Sequence, residues 1–403
     1  MSVITVFNGT FCNVEPVLQE ILTLTGYRLL TDRDIIVIAS GLGKITESKI
    51  GRAFSSKTSV FNKFTHERER SIAFIRLALA EQLAEDGLVI AGFAGQMIPR
   101  EISHVLRVCL IADMKARIEW ASKAHRISRE EALKQIHRED EDHTAWIQKL
   151  FDKKDPWDSS LYDIIFPTDK ISPSDIASVI KDNLNKPVVQ RNDRSQKAVS
   201  DFLTAARVEV KLVMEGHIVG VKSQSGIVTL TINKHVLMLS RLEEELRSVA
   251  EKVPGVAAVE TRVGPGYYQA DIYRRQDFEV PSKILLVDDE REFVQTLSER
   301  LMMRDLGSAV VYDGESALEV AREEEPEVMI LDLKMPGIDG IEVLRRIKKT
   351  QPQIKVIILT GHGSEADRKV CMELGAFAYL QKPVDIDELS GTIKAAHEAI
   401  RKK

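Results

Sequence analysis

The chain has 403 residues, of which 44% are hydrophobic, 29% charged and 6% aromatic, and its formal net charge is −5. At roughly 100–200 residues per domain this length predicts two to four domains, and the composition excludes collagen, a wholly disordered chain and a coiled-coil rod. So weak an acidic balance gives no general affinity for nucleic acid or anionic lipid, although it leaves room for a local patch that binds.

Cysteine usage and the absence of targeting signals favour a cytoplasmic protein. The cysteines, Cys12, Cys109 and Cys371, lie far apart without CxxC or CxxH spacing, which argues against a disulfide framework or a structural zinc site. The N-terminal residues show no basic region followed by an apolar stretch, so no signal peptide is predicted. The longest apolar runs, such as Ile284–Val287, have the length of a strand and not of a membrane helix.

The first segment, residues 1–187, alternates between strand and helix patterns, which predicts a parallel sheet. The strand patterns and apolar runs are Val3–Phe7, Gly87–Phe93 and Val105–Ile111. The helical patterns are Val14–Thr25, Arg68–Glu85 and Lys115–Leu150. The polar stretch 183–197, with one proline, is typical of a linker.

The second segment, residues 198–273, predicts a small α+β domain. After a helical opening come an alternating strand, a helix and a second alternating stretch, at Ile227–Ile232, Val236–Lys252 and Val256–Val263. Nothing in it is typical of a catalytic residue. A second linker is predicted at 274–282.

The third segment, residues 283–403, repeats a strand and a helix five times. The predicted strands are Ile284–Val287, Ser308–Val311, Val328–Leu331, Lys355–Leu359 and Ala378–Leu380. The predicted helices are Glu290–Arg304, Glu315–Arg322, Gly340–Lys349, Glu365–Leu374 and Ile386–Arg401. Short connections with right-handed crossovers make this an open, doubly wound α/β sheet, in which function gathers at the carboxyl ends of the strands.

Polar residues follow these strands at that edge: Asp288 and Asp289 after the first, Asp332 after the third, Thr360 after the fourth and Lys382 after the fifth. Three crowded carboxylates repel one another, and a hard cation such as Mg²⁺ relieves the repulsion through oxygen ligands. Asp332 is then the expected nucleophile for a phosphoryl group, Lys382 its charge partner and Thr360 a hydrogen-bond donor. Any one of these residues alone would be an ordinary cap or loop residue, but the set together predicts metal-assisted phosphoryl transfer.

The sequences KILLVDDE, VMILDLKMPGIDG, VIILTGHGS and AFAYLQKP carry a resemblance over all of residues 283–403. This segment resembles the receiver domain of two-component response regulators, with a flavodoxin-like fold. The resemblance implies that a sensor histidine kinase or a phosphotransfer protein is the partner. The roles that it implies are phosphoacceptor for Asp332, Mg²⁺ ligands for Asp288, Asp289 and Asp332, phosphate contact for Lys382, and a switch pair for Thr360 and Tyr379.

The first segment resembles the cytidylate-kinase-like family of P-loop nucleotide kinases. The sequences that carry this are GLVIAGFAGQMIP, HVLRVCLIADMKARIEW, ISREEALKQIHREDEDHTAWIQKLF and DPWDSSLYDIIFPTDKISPSDIASVI. The resemblance implies that Arg117 lies near a nucleotide phosphate, whereas alone it is more typical of a surface salt bridge. The loop at 8–15 has one glycine and no lysine, and His143 replaces the arginine of the lid, so we expect a pseudokinase or a nucleotide sensor.

The second segment resembles a BON-type module, and a plain αβ spacer fits it equally well.

The leading functional hypothesis is a response regulator. Because no helix-turn-helix follows the receiver segment before Lys403, its output is expected through the N-terminal domains and not through DNA. A receiver-regulated nucleoside monophosphate kinase and a scaffold that binds nucleotide without chemistry are the alternatives. The sequence leaves a homodimer open.

Overall fold

The structure is a computed structural model that describes residues 2–57, 59–233, 238–268, 283–304, 306–361 and 363–401. It divides the chain into two compact units, one of Met1–Thr58 with Glu67–Ala270 and the other of Ser59–His66 with Asp271–Lys403. The predicted linker at 274–282 lies outside the described residues. Within the described ranges, no helix is both long enough and apolar enough to cross a bilayer.

The first unit contains a five-stranded sheet whose strands are all parallel, as predicted. The strands are β1 (Val3–Asn8), β2 (Arg28–Thr31), β3 (Leu88–Ala91), β4 (Val105–Ile111) and β5 (Ile164–Pro167), in the order β2-β3-β1-β4-β5. The first helices of the chain are α1 (Val14–Thr25), α2 (Asp32–Gly43), α3 (Glu47–Gly51), α4 (Asn62–Thr65), α5 (Glu67–Gln82), α6 (Met114–His125), α7 (Arg129–Phe151) and α8 (Pro173–Leu184). One of them, α4, falls in the second unit. Apolar cores cover both faces of the sheet, which explains why its strands are mainly apolar.

The long helix predicted at Lys115–Leu150 is two helices. Arg126 ends α6 in the left-handed conformation, with φ of 57°, and Ser128 begins α7 with a capping box to Glu131. The charged composition of this stretch hides the break, because both helices are polar and the Ser-x-x-Glu spacing is the local mark of the second start.

The stretch predicted as a linker at 183–197 is ordered instead. It holds the end of α8, a short 3₁₀ turn at Pro187–Val189 and the start of α9 (Asp193–Met214). Its composition resembles that of a loop because some of its polar residues cap helices. At the start of α9, the Asn192 side chain accepts a hydrogen bond from the backbone N–H of Ser195 at 2.9 Å. The N-terminal half of α9 then buries Val199 and Phe202 in a core of the first sheet.

The middle region has the order α9, β6 (Gly220–Gln224), β7 (Ile227–Ile232), α10 (Leu239–Ala250), β8 (Ala258–Val263). β7 lies between β6, to which it is antiparallel, and β8, to which it is parallel. Its core joins the C-terminal half of α9 to the sheet and to α10 through Val208, Leu230 and Leu246. The sequence pattern missed β6, which has one apolar side chain besides its polar residues and whose residues are at most half-buried.

The second unit holds the other predicted parallel sheet. Its strands are β9 (Ile284–Val287), β10 (Ser308–Val311), β11 (Val328–Leu331), β12 (Lys355–Thr360) and β13 (Ala378–Gln381), in the order β10-β9-β11-β12-β13. Its helices after β9 are α11 (Arg291–Met302), α12 (Gly314–Glu324), α13 (Gly340–Thr350), α14 (Glu365–Glu373) and α15 (Ile386–Arg401). All neighbouring strands are parallel, and apolar cores lie on both faces, so the doubly wound, flavodoxin-like prediction is confirmed.

Candidate functional site

The acidic residues predicted at one edge of the second sheet meet there. Asp288 and Asp289 follow β9, and Asp332 follows the neighbouring strand β11. One carboxylate oxygen from each of the three lies within 4.8 Å of the others. Asp288 and Asp332 are buried, whereas Asp289 is more exposed. This oxygen-only set suits a hard divalent cation such as Mg²⁺.

Lys382 joins this carboxylate cluster from the end of β13. Its Nζ lies 2.7 Å from Asp288 Oδ2 and 3.1 Å from Asp332 Oδ2. Glu290 Oε1 lies 3.2 Å from the same ammonium, which also sits 4.3 Å from the centre of the Phe293 ring. Neither Glu290 nor Phe293 was predicted from the sequence as part of this site. The position of Glu290, directly after the Asp-Asp pair, is the one pattern that could have indicated it.

Burial and charge oppose each other in the cluster. Burial raises the pKa of Asp288 above its usual range, although the hydrogen bond from Lys382 acts in the opposite direction. Burial alone would lower the pKa of Lys382, but its hydrogen bonds to Asp288 and Asp332 raise it above the ordinary value. The ammonium therefore stays charged beside Asp288, whose burial disfavours ionisation, and added positive charge would stabilise the cluster further.

The Asp332 carboxylate is held in a fixed orientation. Its Oδ1 accepts the backbone N–H of Leu333 at 2.6 Å, which leaves Oδ2 facing Lys382. The following loop folds back tightly, since the N–H of Gly340 donates to the carbonyl of Leu333 at 3.1 Å. A Cβ on Gly340 would overlap the backbone oxygen of Asp332, so this position requires glycine.

Thr360 and Tyr379, the predicted switch pair, approach the same glycine. Thr360 is fully buried at the end of β12, and Tyr379 is half-buried on the neighbouring strand β13. A Cβ placed on Gly363 would overlap the Tyr379 hydroxyl and lie 2.8 Å from Thr360 Cγ2. Among the described residues the buried hydroxyl of Tyr379 has no hydrogen-bond partner. Their role as a switch stays a prediction.

In the first unit, Arg117 is committed to internal contacts. Its Nη1 and Nη2 donate to the two carboxylate oxygens of Asp140 at 2.9 and 2.7 Å, and its Nε donates to the carbonyl of Thr10 at 2.7 Å. The side chain is buried. A phosphate at this guanidinium would have to displace the Asp140 carboxylate, which already makes the two-pronged contact that a phosphate would make.

Side chains also fill the space beside the loop that follows β1. A Cβ on Gly9 would lie 2.8 Å from Cys12 Sγ and 3.5 Å from the Trp157 ring. His143, which the family resemblance assigns to the position of the lid arginine, is buried, and its ring centre lies 5.5 Å from that of Trp157. No local pattern places Trp157 beside this loop, because it is 148 positions beyond Gly9 and reaches it through the fold alone.

Comparisons with known proteins match two separate regions of the chain. Residues 284–394 match the model described as response regulator receiver domain, and residues 3–170 match the model described as cytidylate kinase-like family. The chain therefore has a C-terminal region similar to response regulator receiver domains and an N-terminal region similar to the cytidylate kinase-like family, as the sequence resemblances predicted.

Curated relatives match the receiver domain. The transcriptional regulatory protein CpxR of Escherichia coli strain K12 is 43% identical over 114 residues, which are 28% of this chain and 48% of CpxR. CpxR of Klebsiella pneumoniae gives the same identity and coverage. The chain thus spans about half the length of the curated relatives that it matches.

Among solved structures, a response regulator receiver domain protein from Clostridium thermocellum is 36% identical, with a TM-score of 0.29 over 30% of this chain and 97% of that one. The signal receiver domain of a putative Luxo repressor protein from Vibrio parahaemolyticus is 27% identical, with a TM-score of 0.29 over 30% of this chain and 92% of that one.

Proposed function

We propose that this protein is the response regulator of a two-component phosphorelay, which takes a phosphoryl group onto Asp332. The observation that carries the proposal is the position of Lys382 Nζ, within 3.1 Å of both Asp288 and Asp332 in a cluster of three carboxylates. A receiver domain implies phosphoryl transfer from a histidine kinase or a phosphotransfer protein, which we propose as the partner.

The chemistry follows from the orientation of Asp332. Its Oδ2 attacks the phosphorus of the donor, a P–O bond forms, and the bond to the donor's leaving atom breaks, leaving an acyl phosphate. Lys382, already beside Oδ2, pairs with the phosphoryl oxygens, and Thr360 is the proposed hydrogen-bond donor to one of them. Asp288, Asp289 and Asp332 would hold Mg²⁺, which would offset the negative charge of the phosphoryl group.

The test is labelling by a small phosphodonor such as acetyl phosphate in the presence of Mg²⁺. We expect acid-labile, hydroxylamine-sensitive phosphate on the wild-type chain, its loss in Asp332→Asn, and its loss when EDTA removes the metal. Asp313→Asn is the matched control, because Asp313 follows β10 at the same edge and caps α12 outside the carboxylate cluster. Labelling of Asp332→Asn at the wild-type level would refute the assignment.

The output is proposed to run through the N-terminal domains or a partner surface and not through DNA. The curated relatives are named transcriptional regulatory proteins, but the match to them covers 114 residues in the receiver region. Outside that region the described residues form a parallel α/β domain and the small mixed-sheet module, proposed here as BON-like. Saturable binding of the phosphorylated chain to duplex DNA at physiological ionic strength, measured by fluorescence anisotropy, would contradict this.

For the kinase-like domain we propose a pseudokinase. The engaged Arg117, the loop without lysine and the packed Trp157 all argue against efficient phosphoryl transfer. A coupled assay with ATP and CMP or dCMP should therefore show no turnover at ordinary kinase rates; such turnover would favour the receiver-regulated nucleoside monophosphate kinase. Calorimetry with ATP and CMP, with Arg117→Ala as the control, separates a nucleotide-binding scaffold from an inert fold.

A cytoplasmic location is part of the proposal. It rests on Cys12, Cys109 and Cys371, which are all free thiols and all buried. Widely spaced thiols without a disulfide are typical of proteins that fold in a reducing compartment.

A further inference from the structure

A pocket of about 360 Å³ opens at the edge of the first sheet where β4 and β5 begin. The loop after β1 lies at the opposite edge, because all strands of this sheet are parallel. The pocket is therefore separate from the kinase-like site. Its size is that of a site for a small molecule.

Three cations line this pocket, namely Arg100, Arg107 and Lys186, against one carboxylate, that of Asp163. The remaining walls come from polar and apolar side chains, among them the exposed Val188. The lining thus carries two more positive charges than negative ones, in a protein whose overall charge is −5. A local excess of this kind in a concave site attracts an anion.

Arg107 is the unusual member of this set because its side chain is buried without an ion pair among the described residues. Its guanidinium donates to the backbone carbonyls of Val105, Ile98 and Pro99 at 3.2, 3.4 and 2.9 Å. Carbonyls satisfy hydrogen bonds but leave the positive charge without a counter-charge.

The electrostatics agree with a missing counter-charge. Burial lowers the pKa of Arg107 to about 10, and the neighbouring Arg100 acts in the same direction, whereas Asp163 and Glu101 act against it. Asp163 is shared between several donors: Oδ2 accepts the backbone N–H of Arg107 at 2.8 Å, and Oδ1 lies 3.6 Å from Arg100. Asp163 thus pairs with the Arg100 guanidinium and contacts Arg107 through its backbone N–H.

Lys186 completes the charged rim from the turn after α8. Its Nζ donates to the Asn183 side chain at 2.8 Å, a neutral partner, and the residue is exposed. The ammonium can therefore reorient toward a ligand at little cost. A doubly charged phosphate matches the two excess positive charges better than a single carboxylate does, and arginine forks bind phosphate oxygens in pairs.

We propose that this pocket binds the phosphate group of a small phosphorylated molecule, with Arg100 and Lys186 at the rim and Arg107 at the base. The site is independent of phosphoryl transfer to Asp332. Nothing in the proposal requires the kinase-like loop.

The experiment is calorimetry on the full chain carrying Lys382→Ala, in EDTA, so that the receiver site adds no signal. The probes are inorganic phosphate, glycerol 3-phosphate and acetate. We expect saturable binding of the two phosphates and at least tenfold weaker binding of acetate. Arg100→Gln and Lys186→Gln should each weaken phosphate binding about tenfold, and Asp163→Asn should strengthen it.

Lys181→Gln is the matched control, since Lys181 is an exposed lysine on α8 that does not line the pocket. Its affinity for phosphate should equal that of the parent chain. The proposal is overturned by the absence of saturable binding of either phosphate, by acetate binding as tightly as phosphate, or by an equal loss in Lys181→Gln and Lys186→Gln. Circular dichroism of each variant shows whether its fold is kept, and the exposed Lys186 keeps the test valid if Arg100→Gln unfolds.

Discussion

At the residue scale, Lys382 and Arg117 both contact carboxylates, but the first contact supports a phosphate site and the second argues against one. Lys382 bridges two carboxylates, and the third carboxylate of its cluster remains open toward solvent. Arg117 is closed off by Asp140 and by the carbonyl of Thr10. The proposed phosphoryl transfer at the first site needs an exchange of partners at Lys382, whereas a phosphate at Arg117 would have to displace the Asp140 carboxylate from a two-pronged contact.

His143 makes the first unit sensitive to acid. Burial lowers the pKa of His143, while the backbone carbonyl of Glu139 and the charge of Asp140 act to raise it, and Arg117 acts to lower it. The folded state therefore favours the neutral ring. Its contribution to stability is full above the unfolded pKa of about 6.5 and is lost as the pH falls below it, by about 1.4 kcal/mol for each unit of pKa displacement.

We therefore expect the unfolding temperature of the first unit to fall on acidification below about pH 6.5, and to fall less in His143→Gln. Burial also lowers the pKa of His104, so the comparison is between wild type and variant at each pH and not within one profile. Differential scanning calorimetry measures it. Parallel profiles for the two chains would show that His143 contributes nothing.

At the element scale, the proposed switch pair, Thr360 and Tyr379, depends on the close contact between Gly363, in the β12–α14 connection, and β13. Gly363 leaves room for the Tyr379 hydroxyl next to Thr360, and any larger residue would have to displace the ring. The strand bounds place Thr360 and Tyr379 on neighbouring strands, but they do not reveal that a glycine holds the space between them.

Gly363→Ala should push the Tyr379 ring outward and destabilise the receiver by about 1–3 kcal/mol, because an overpacked contact must relax. Labelling of Asp332 should persist, while the shift of the Tyr379 ring signals on adding beryllofluoride, followed by NMR, should shrink. Gly391→Ala on α15 is the control, since no atom lies within 4 Å of its added Cβ. An unchanged shift of the Tyr379 ring signals in Gly363→Ala would show that the contact with Gly363 does not influence the response of Tyr379.

Element bounds show where local sequence suffices. The strands Ile284–Val287, Ser308–Val311 and Val328–Leu331 match the predicted ranges, because each is an apolar run ended by polar residues. β6 was missed because its alternation uses lysine, serine and glutamine. The linker at 183–197 was wrong because a capping residue and a loop residue have the same chemistry, and only the packing of Val199 and Phe202 distinguishes them.

At the scale of the whole molecule, the chain is two compact units with separate apolar cores. A ligand that binds only the folded receiver raises the unfolding temperature of that unit by mass action. We expect beryllofluoride with Mg²⁺ to raise the unfolding temperature of the receiver, measured by calorimetry, and the Asp332→Asn substitution to abolish this increase. An equal shift in Asp332→Asn would place the anion elsewhere in the chain.

Local sequence patterns are enough to predict the two parallel sheets and the site at the carboxyl edge of the second sheet. Strand polarity places every residue that follows a strand at one edge, so Asp288, Asp332 and Lys382 converge whatever the details of packing. The partners of Arg117, which lie 23 and 107 positions away, become visible in the fold alone. The same holds for the pocket where Arg107 is buried with no ion pair among the described residues. Such contacts depend on which helix faces which strand end, and no local periodicity carries that information.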